Sequence, residues 1–206
     1  MPKQTFYNLP EHKKQVLLEA LEKEFSRVPL YEASISNIVK SAEIPRGSFY
    51  QYFTDKEDAY FFLLNEQAER SKGTFMAILQ KNNGDLFETF TEMFRWTLEQ
   101  ISKGDGLDIL KNAFLNMTHK VETTFYTIFN GDSKTQFQEI CALINKENLN
   151  ISTEKDLRFV LQILTTITFH NLIEKLARNT SDEEAIDSFI AEVEILKHGM
   201  YKGSNK

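Results

Sequence analysis

The chain has 206 residues, 41% hydrophobic and 26% charged, with a net charge of −6, four prolines and eight glycines. This is globular composition poor in helix breakers, so a helical protein is expected. A single cysteine, Cys141, excludes an internal disulfide framework, no run reaches the ~18 apolar residues of a membrane span, and residues 1–9 lack the apolar core of a signal peptide, so a cytoplasmic chain with no membrane partner is expected.

Nearly every segment carries helical period. Pro10 suits a first turn, and Leu17, Leu18, Leu21 and Phe25 then mark one face of a helix over 10–26. Ile35, Ile38, Val39 and Ala42 mark a short helix over 34–42, interrupted by Glu43-Ile44-Pro45, and a second short helix covers 46–52. Thr54-x-x-Glu57 has capping-box spacing and opens a helix to residue 80. Asp85-x-x-Glu88 opens the next, to 102. Helices over 107–119, 120–130 and 134–147 follow, the last two split at Gly131-Asp132-Ser133. Thr153 heads a long helix to 178, and Ser181-x-x-Glu184 opens the last, to 201. The spacing predicts an all-α fold: a three-helix head, residues 1–53, and a larger helical body, residues 54–206.

Charge divides along the same line. Residues 1–56 hold eight Lys and Arg against seven Asp and Glu, a balance of +1, whereas residues 57–206 carry −7. The body would repel nucleic acid and leave any contact with it to the head. Within the head, two short helices joined by Glu43-Ile44-Pro45 have helix-turn-helix form. At 100° per residue, Phe49 and Phe53 fall within about 40° of each other and can anchor the second helix to Leu21, Ile35, Ile38 and Val39. Gly47, Ser48 and Gln51 lie opposite, flanked by Tyr50 and Tyr52, with Arg46 at the helix start. A slim, polar outer face over an aromatic inner face suits insertion into a DNA groove. Arg46 matches the O6 and N7 of guanine, Gln51 matches adenine, and tyrosine hydroxyls and a lysine at a helix start suit phosphates. A compact helical corner with an aromatic-rich surface would show the same periodicity.

The stretch SISNIVKSAEIPRGSFYQYFTDKEDAYFFLL strongly resembles the DNA-binding region of TetR-family transcriptional regulators, over residues 10–64. The resemblance rests on Gly47-Ser48-Phe49-Tyr50-Gln51-Tyr52-Phe53 followed by Lys56-Glu57. It implies base contacts from Arg46, Gly47, Ser48 and Gln51, and phosphate contacts from Ser36, Tyr50, Tyr52 and Lys56. One departure is Glu43, where the family turn often has glycine; a side chain there adopts left-handed geometry only at a cost.

Beyond residue 64 the likeness is one of shape. It implies an effector-binding body that forms a homodimer through the last two helices, with Leu161, Leu164, Ile186, Phe189, Ile190 and Val193 as interface candidates. It also implies a cavity for a small-molecule effector, for which Phe94, Arg95, Trp96, Phe114, His119, Tyr126, Phe169 and His170 are candidates. The opening MPK with PRGSFYQYF is similar to haem-responsive members of the family, which makes haem one conceivable effector with His119, Tyr126 or His170 as axial ligand. The expected partner is then a palindromic double-stranded DNA operator, and the expected activity is repression relieved by ligand. Enzyme readings find no footing: there is no His-Glu-x-x-His, no Glu three residues before a histidine, and no glycine-rich phosphate loop. No cofactor, metal or catalytic residue is expected. The alternative is an all-helical small-molecule-binding or interaction protein without DNA binding.

Overall fold

A computed structural model of the chain describes residues 1–103, 108–130, 134–147 and 149–199. Among the described residues there are eleven helices and no strand. In chain order they are α1 (Gln4–Tyr7), α2 (Glu11–Arg27), α3 (Ile35–Ser41), α4 (Arg46–Tyr52), α5 (Lys56–Lys81), α6 (Leu86–Lys103), α7 (Asp108–Leu115), α8 (His119–Asn130), α9 (Lys134–Leu143), α10 (Glu154–Arg178) and α11 (Asp182–His198). The all-α expectation is met. Helix α1 was not foreseen, because four residues are too few for apolar periodicity to register. No helix among the described residues is long and apolar enough to cross a membrane.

Three of the four predicted helix starts cap as their sequences require. The Glu88 N–H donates to Asp85 Oδ1 at 3.0 Å and the Glu184 N–H to Ser181 Oγ at 3.1 Å. Thr153 and Asp156 form a reciprocal capping box. The fourth is displaced by one residue. At the start of α5 it is Asp55 that accepts the Asp58 N–H (2.8 Å), while Asp58 accepts the Thr54 N–H (3.0 Å), so Thr54-x-x-Glu57 is not the box. A carboxylate is at least as good a cap as a threonine hydroxyl, and Asp55 and Asp58 between them satisfy the N–H groups of Asp58 and Thr54.

The chain packs as two compact units. The first comprises residues 1–70 with 101–125; the second comprises 71–100 with residues from 126 onward. In the first, α3 and α7 both pack against α2, and α3 and α1 against α4. Its core is aromatic. Phe53 has Phe6 at 5.2 Å, Phe49 at 5.6 Å and Phe62 at 6.1 Å between ring centroids, and Phe25 meets Tyr60 edge-on at 5.1 Å. Phe6, Phe25, Phe49 and Phe53 are all at most 1% exposed. Each such ring contributes about 1.5–3 kcal/mol of burial. In the second unit α10 pairs with α11, and Phe94 stacks on Phe189 at 4.3 Å. Cys141 is buried there, and burial pushes its thiol pKa up, as for an inert core cysteine.

Two turns carry the backbone that the loops require. Gly84 has φ +81°, and a Cβ on it would stand 2.4 Å from the backbone of Leu143 and Asn145. The Asn145 N–H donates to its carbonyl at 2.9 Å, so only glycine fits this crossing. The other is the turn between α3 and α4. Ile44 N–H reaches back to the Val39 carbonyl (3.0 Å) and Glu43 N–H to that of Lys40 (3.4 Å), a Schellman ending with Glu43 at φ 53°. The glutamate thus takes the left-handed geometry in spite of its cost, and the turn is not altered to avoid it. We expect Glu43→Gly to stabilise the chain by about 1 kcal/mol in urea unfolding. A destabilised variant would show that the Glu43 side chain makes up for its own backbone strain.

Candidate nucleic-acid interface

Helix α4 has two faces of opposite character. Inward, Phe49 and the following Phe53 are fully buried. Outward, Arg46, Gly47, Tyr50 and Gln51 are exposed, and Ser48 and Tyr52 are half-buried. Among the described residues neither the Arg46 guanidinium nor the Gln51 carboxamide has a hydrogen-bond or ion-pair partner. A Cβ built on Gly47 would meet nothing within 4 Å, and its backbone is ordinary helix. The fold therefore has no need of glycine at 47, whereas an approaching surface would benefit from one. Ser36, on α3, is exposed as well.

The far end of α4 is held by the opening segment, a contact that the sequence did not disclose. The last carbonyls of a helix lack partners within it. Here the Phe49 carbonyl accepts from Phe53 N–H (2.9 Å), that of Tyr50 from Lys3 Nζ (2.8 Å), that of Gln51 from Thr5 Oγ1, and that of Tyr52 from Lys3 N–H (2.8 Å). Phe6 then locks the segment in place between Phe53 and Phe62. The Lys3 ammonium also sits at the negative end of the helix dipole. The available signal was Phe6, which only a known neighbour could turn into a contact.

The base of the helix-turn-helix is fixed by a buried carboxylate. Glu24, 4% exposed, accepts from Arg27 at 2.9 Å, from the Ser34 N–H at 2.8 Å and from Asn37 Nδ2 at 3.1 Å. It thus ties α2 to the first turn of α3. Burial alone would raise the Glu24 pKa, but the hydrogen bonds from Arg27, Ser34 and Asn37 outweigh it and hold the carboxyl below 4.5.

Lys56 does not stand free for a phosphate. Half-buried, its Nζ donates to the Tyr31 carbonyl at 3.0 Å and the Ala33 carbonyl at 2.9 Å, fastening the loop before α3 to the start of α5. A phosphate at Lys56 would compete with these two carbonyls. Two carbonyls with no partner in their own loop are a nearer demand on the ammonium than solvent.

The other candidate sets separate. Of the effector residues, Phe114 and His119 belong to the first unit and Phe94, Arg95, Trp96, Phe169 and His170 to the second, while the side chain of Tyr126 lies outside the described residues. Phe94 is consumed by its stack on Phe189, and Phe114 packs on Phe125 at 5.3 Å. His170 is exposed at the edge of a cleft of about 210 Å³ that takes in none of the other seven. His119 is 94% exposed beside Glu122. Haem gains no support: its two described histidine candidates are surface residues of different units, and no cluster of His, Cys, Asp or Glu able to hold a metal occurs among the described residues. Four of the six dimer candidates are corrected too. Leu161, Leu164, Phe189 and Val193 are at most 2% exposed within one chain, so they form internal core and offer no surface to a partner. Ile186 and Ile190 are half-buried. The apolar side chains that do stand out from α10 and α11 are Phe159, Ile163 and Ile195.

Two family models match the chain. The model described as bacterial regulatory proteins, tetR family, covers residues 17–59, and the tetracyclin repressor-like C-terminal domain covers residues 85–200. The chain is 24% identical over 196 residues to the HTH-type transcriptional regulator YdgC of Bacillus subtilis, covering 92% of this chain and 93% of that one. Among solved structures it resembles the fatty acid degradation regulator FadR from Bacillus halodurans, with TM-score 0.65, 18% identity and 95% and 100% of the two chains covered. FadR from Bacillus subtilis, solved in complex with stearoyl-CoA, follows with TM-score 0.62, 14% identity and coverage of 91% and 99%. The first model takes in all of the helix-turn-helix, α3 and α4 with the Glu43 turn between them, and the second takes in more than half of the chain. The chain belongs to the TetR family of bacterial transcriptional regulators and is a DNA-binding regulator rather than an enzyme.

Proposed function

We propose that the chain is a ligand-responsive repressor that binds a palindromic operator as a homodimer. The observation that carries this is the outward face of α4: an unpartnered guanidinium, a bare glycine and a free carboxamide on a helix whose other side is anchored by two buried rings. In this reading residues 1–53 read DNA and residues 54–206 carry effector and dimer surfaces, although the compact unit that holds the head also recruits 54–70 and 101–125. Arg46, Gly47, Ser48 and Gln51 meet base edges; Ser36, Tyr50 and Tyr52 meet phosphates. Two copies present their recognition helices to half-sites about 34–36 Å apart. Dimerisation uses the outward side of α10 and α11, where Phe159, Ile163 and Ile195 are exposed. That FadR from Bacillus subtilis holds stearoyl-CoA supports a small-molecule effector in general. Effector binding favours one setting of α5, alters the spacing of the two heads and releases the operator through differential affinity for the two states.

Fluorescence-anisotropy titration against the DNA upstream of the chain's own gene tests the reading. Arg46→Ala is expected to lower the preference for that DNA over random duplex by about 1–3 kcal/mol, and Tyr50→Phe to weaken all sequences together. Unchanged binding in both variants would place the DNA-reading face elsewhere.

A further inference from the structure

Within the first unit, a groove of about 590 Å³ opens between the loop before α3, the start of α5 and the α7–α8 connection. Its size is that of a small-molecule site. Leu30, Tyr60, Phe61, Met117 and Val121 give it an apolar lining, and Tyr31, 70% exposed, stands at its rim. Three charges line it: the ammonium groups of Lys56 and Lys120 and the carboxylate of Glu57. Lys120 Nζ lies 3.1 Å from Glu57 Oε1 and 3.9 Å from the centre of the Phe61 ring, and both partners of the ion pair are more than half exposed. An exposed pair of this kind is weak and easily exchanged. The excess is one positive charge over aromatic walls.

We propose that this groove is a ligand site for a small carboxylate with a flat apolar body, such as an aromatic acid, and that its occupation loosens the helix-turn-helix. The apolar body lies along Phe61 and Met117, beneath Tyr31. Its carboxylate takes Lys120 from Glu57 and gives Lys56 a charged acceptor, a stronger one than the Tyr31 and Ala33 carbonyls it now serves. Those two carbonyls lie in the loop that leads into α3. Releasing them frees the first helix of the DNA-reading pair. Only this coupling rests on the reading of the chain as an operator-binding repressor; the site itself stands independently of it.

Calorimetric titration of the full chain with 2-naphthoate, and with 2-naphthylmethylammonium as the cation of similar shape, decides the site. Naphthoate is expected to bind and the ammonium not. Lys120→Met should weaken naphthoate by about tenfold, since it deletes a charge-assisted contact. Glu57→Gln should strengthen it by about threefold, since it removes the competing carboxylate. Both side chains are exposed, so thermal unfolding of either variant should stay within about 2 °C of the parent. Absence of naphthoate binding at millimolar concentration, equal binding of the cation, or an affinity unmoved by both substitutions overturns the site. Saturating naphthoate should then raise the operator Kd at least about fivefold, as a coupled effector does. Binding without that rise overturns the coupling alone. A parent chain that binds no operator in the absence of ligand overturns the repressor reading and leaves the calorimetric result standing.

Discussion

Phe49→Ala is expected to cost about 3–5 kcal/mol and to abolish operator binding at ordinary growth temperature. The ring is fully buried, 5.6 Å from Phe53 and edge-on to Tyr50 at 5.5 Å, in a helix of only seven residues. So short a helix has no stability of its own and exists because its inner face is packed. Urea unfolding measures the loss. Phe49→Leu separates anchoring from contact: leucine refills most of the volume, should cost about 1–1.5 kcal/mol, and should bind DNA within about threefold of the parent. A folded Phe49→Leu chain that no longer binds would mean that the ring does more than hold the helix.

Glu24→Ala is expected to cost about 3 kcal/mol, because it removes the charged acceptor shared by the half-buried Ser34 N–H, the Asn37 amide and Arg27. In a cooperative thermal scan that is a Tm lower by about 6–12 °C. The pH dependence has a definite sign. A carboxyl whose folded pKa is depressed contributes stability above its unfolded value of 4.5, and that contribution is lost as pH falls through the lower folded value. The difference between parent and variant should therefore be full at neutral pH and shrink below pH 4.5. A difference that grows on acidification would show the carboxyl to be held above its ordinary value, with burial dominating the hydrogen bonds.

Much of the helix-turn-helix was legible in the sequence because its determinants are local. The Phe49–Phe53 spacing sets which side of α4 is buried, and Gly47, Ser48 and Gln51 follow on the other side by periodicity, with Arg46 at the helix start. Asp85, Thr153 and Ser181 announced their helices by a side chain that reaches only three residues, whereas position 43 drew notice only through the glycine that the resembling family often has there. Even the displaced cap at α5 is a competition between neighbours, Thr54 and Asp55, in which the stronger acceptor won.

What the sequence by itself determined, then, is an all-helical chain with a helix-turn-helix near its start and the outer face that this motif presents. Tertiary structure alone decided the contacts made at long range. Lys56 was free on paper and is spent on carbonyls more than twenty residues away; Lys3 and Thr5 gave no sign of a structural role and close the end of α4 some forty-five residues on. Leu161, Leu164, Phe189 and Val193 form an apolar stripe that serves equally for a core or an interface until the neighbouring helix is placed. The physical reason is the same in each case: caps, turns and amphipathic faces are fixed within a few residues, whereas a side chain's partner across the fold depends on packing that no window of sequence contains.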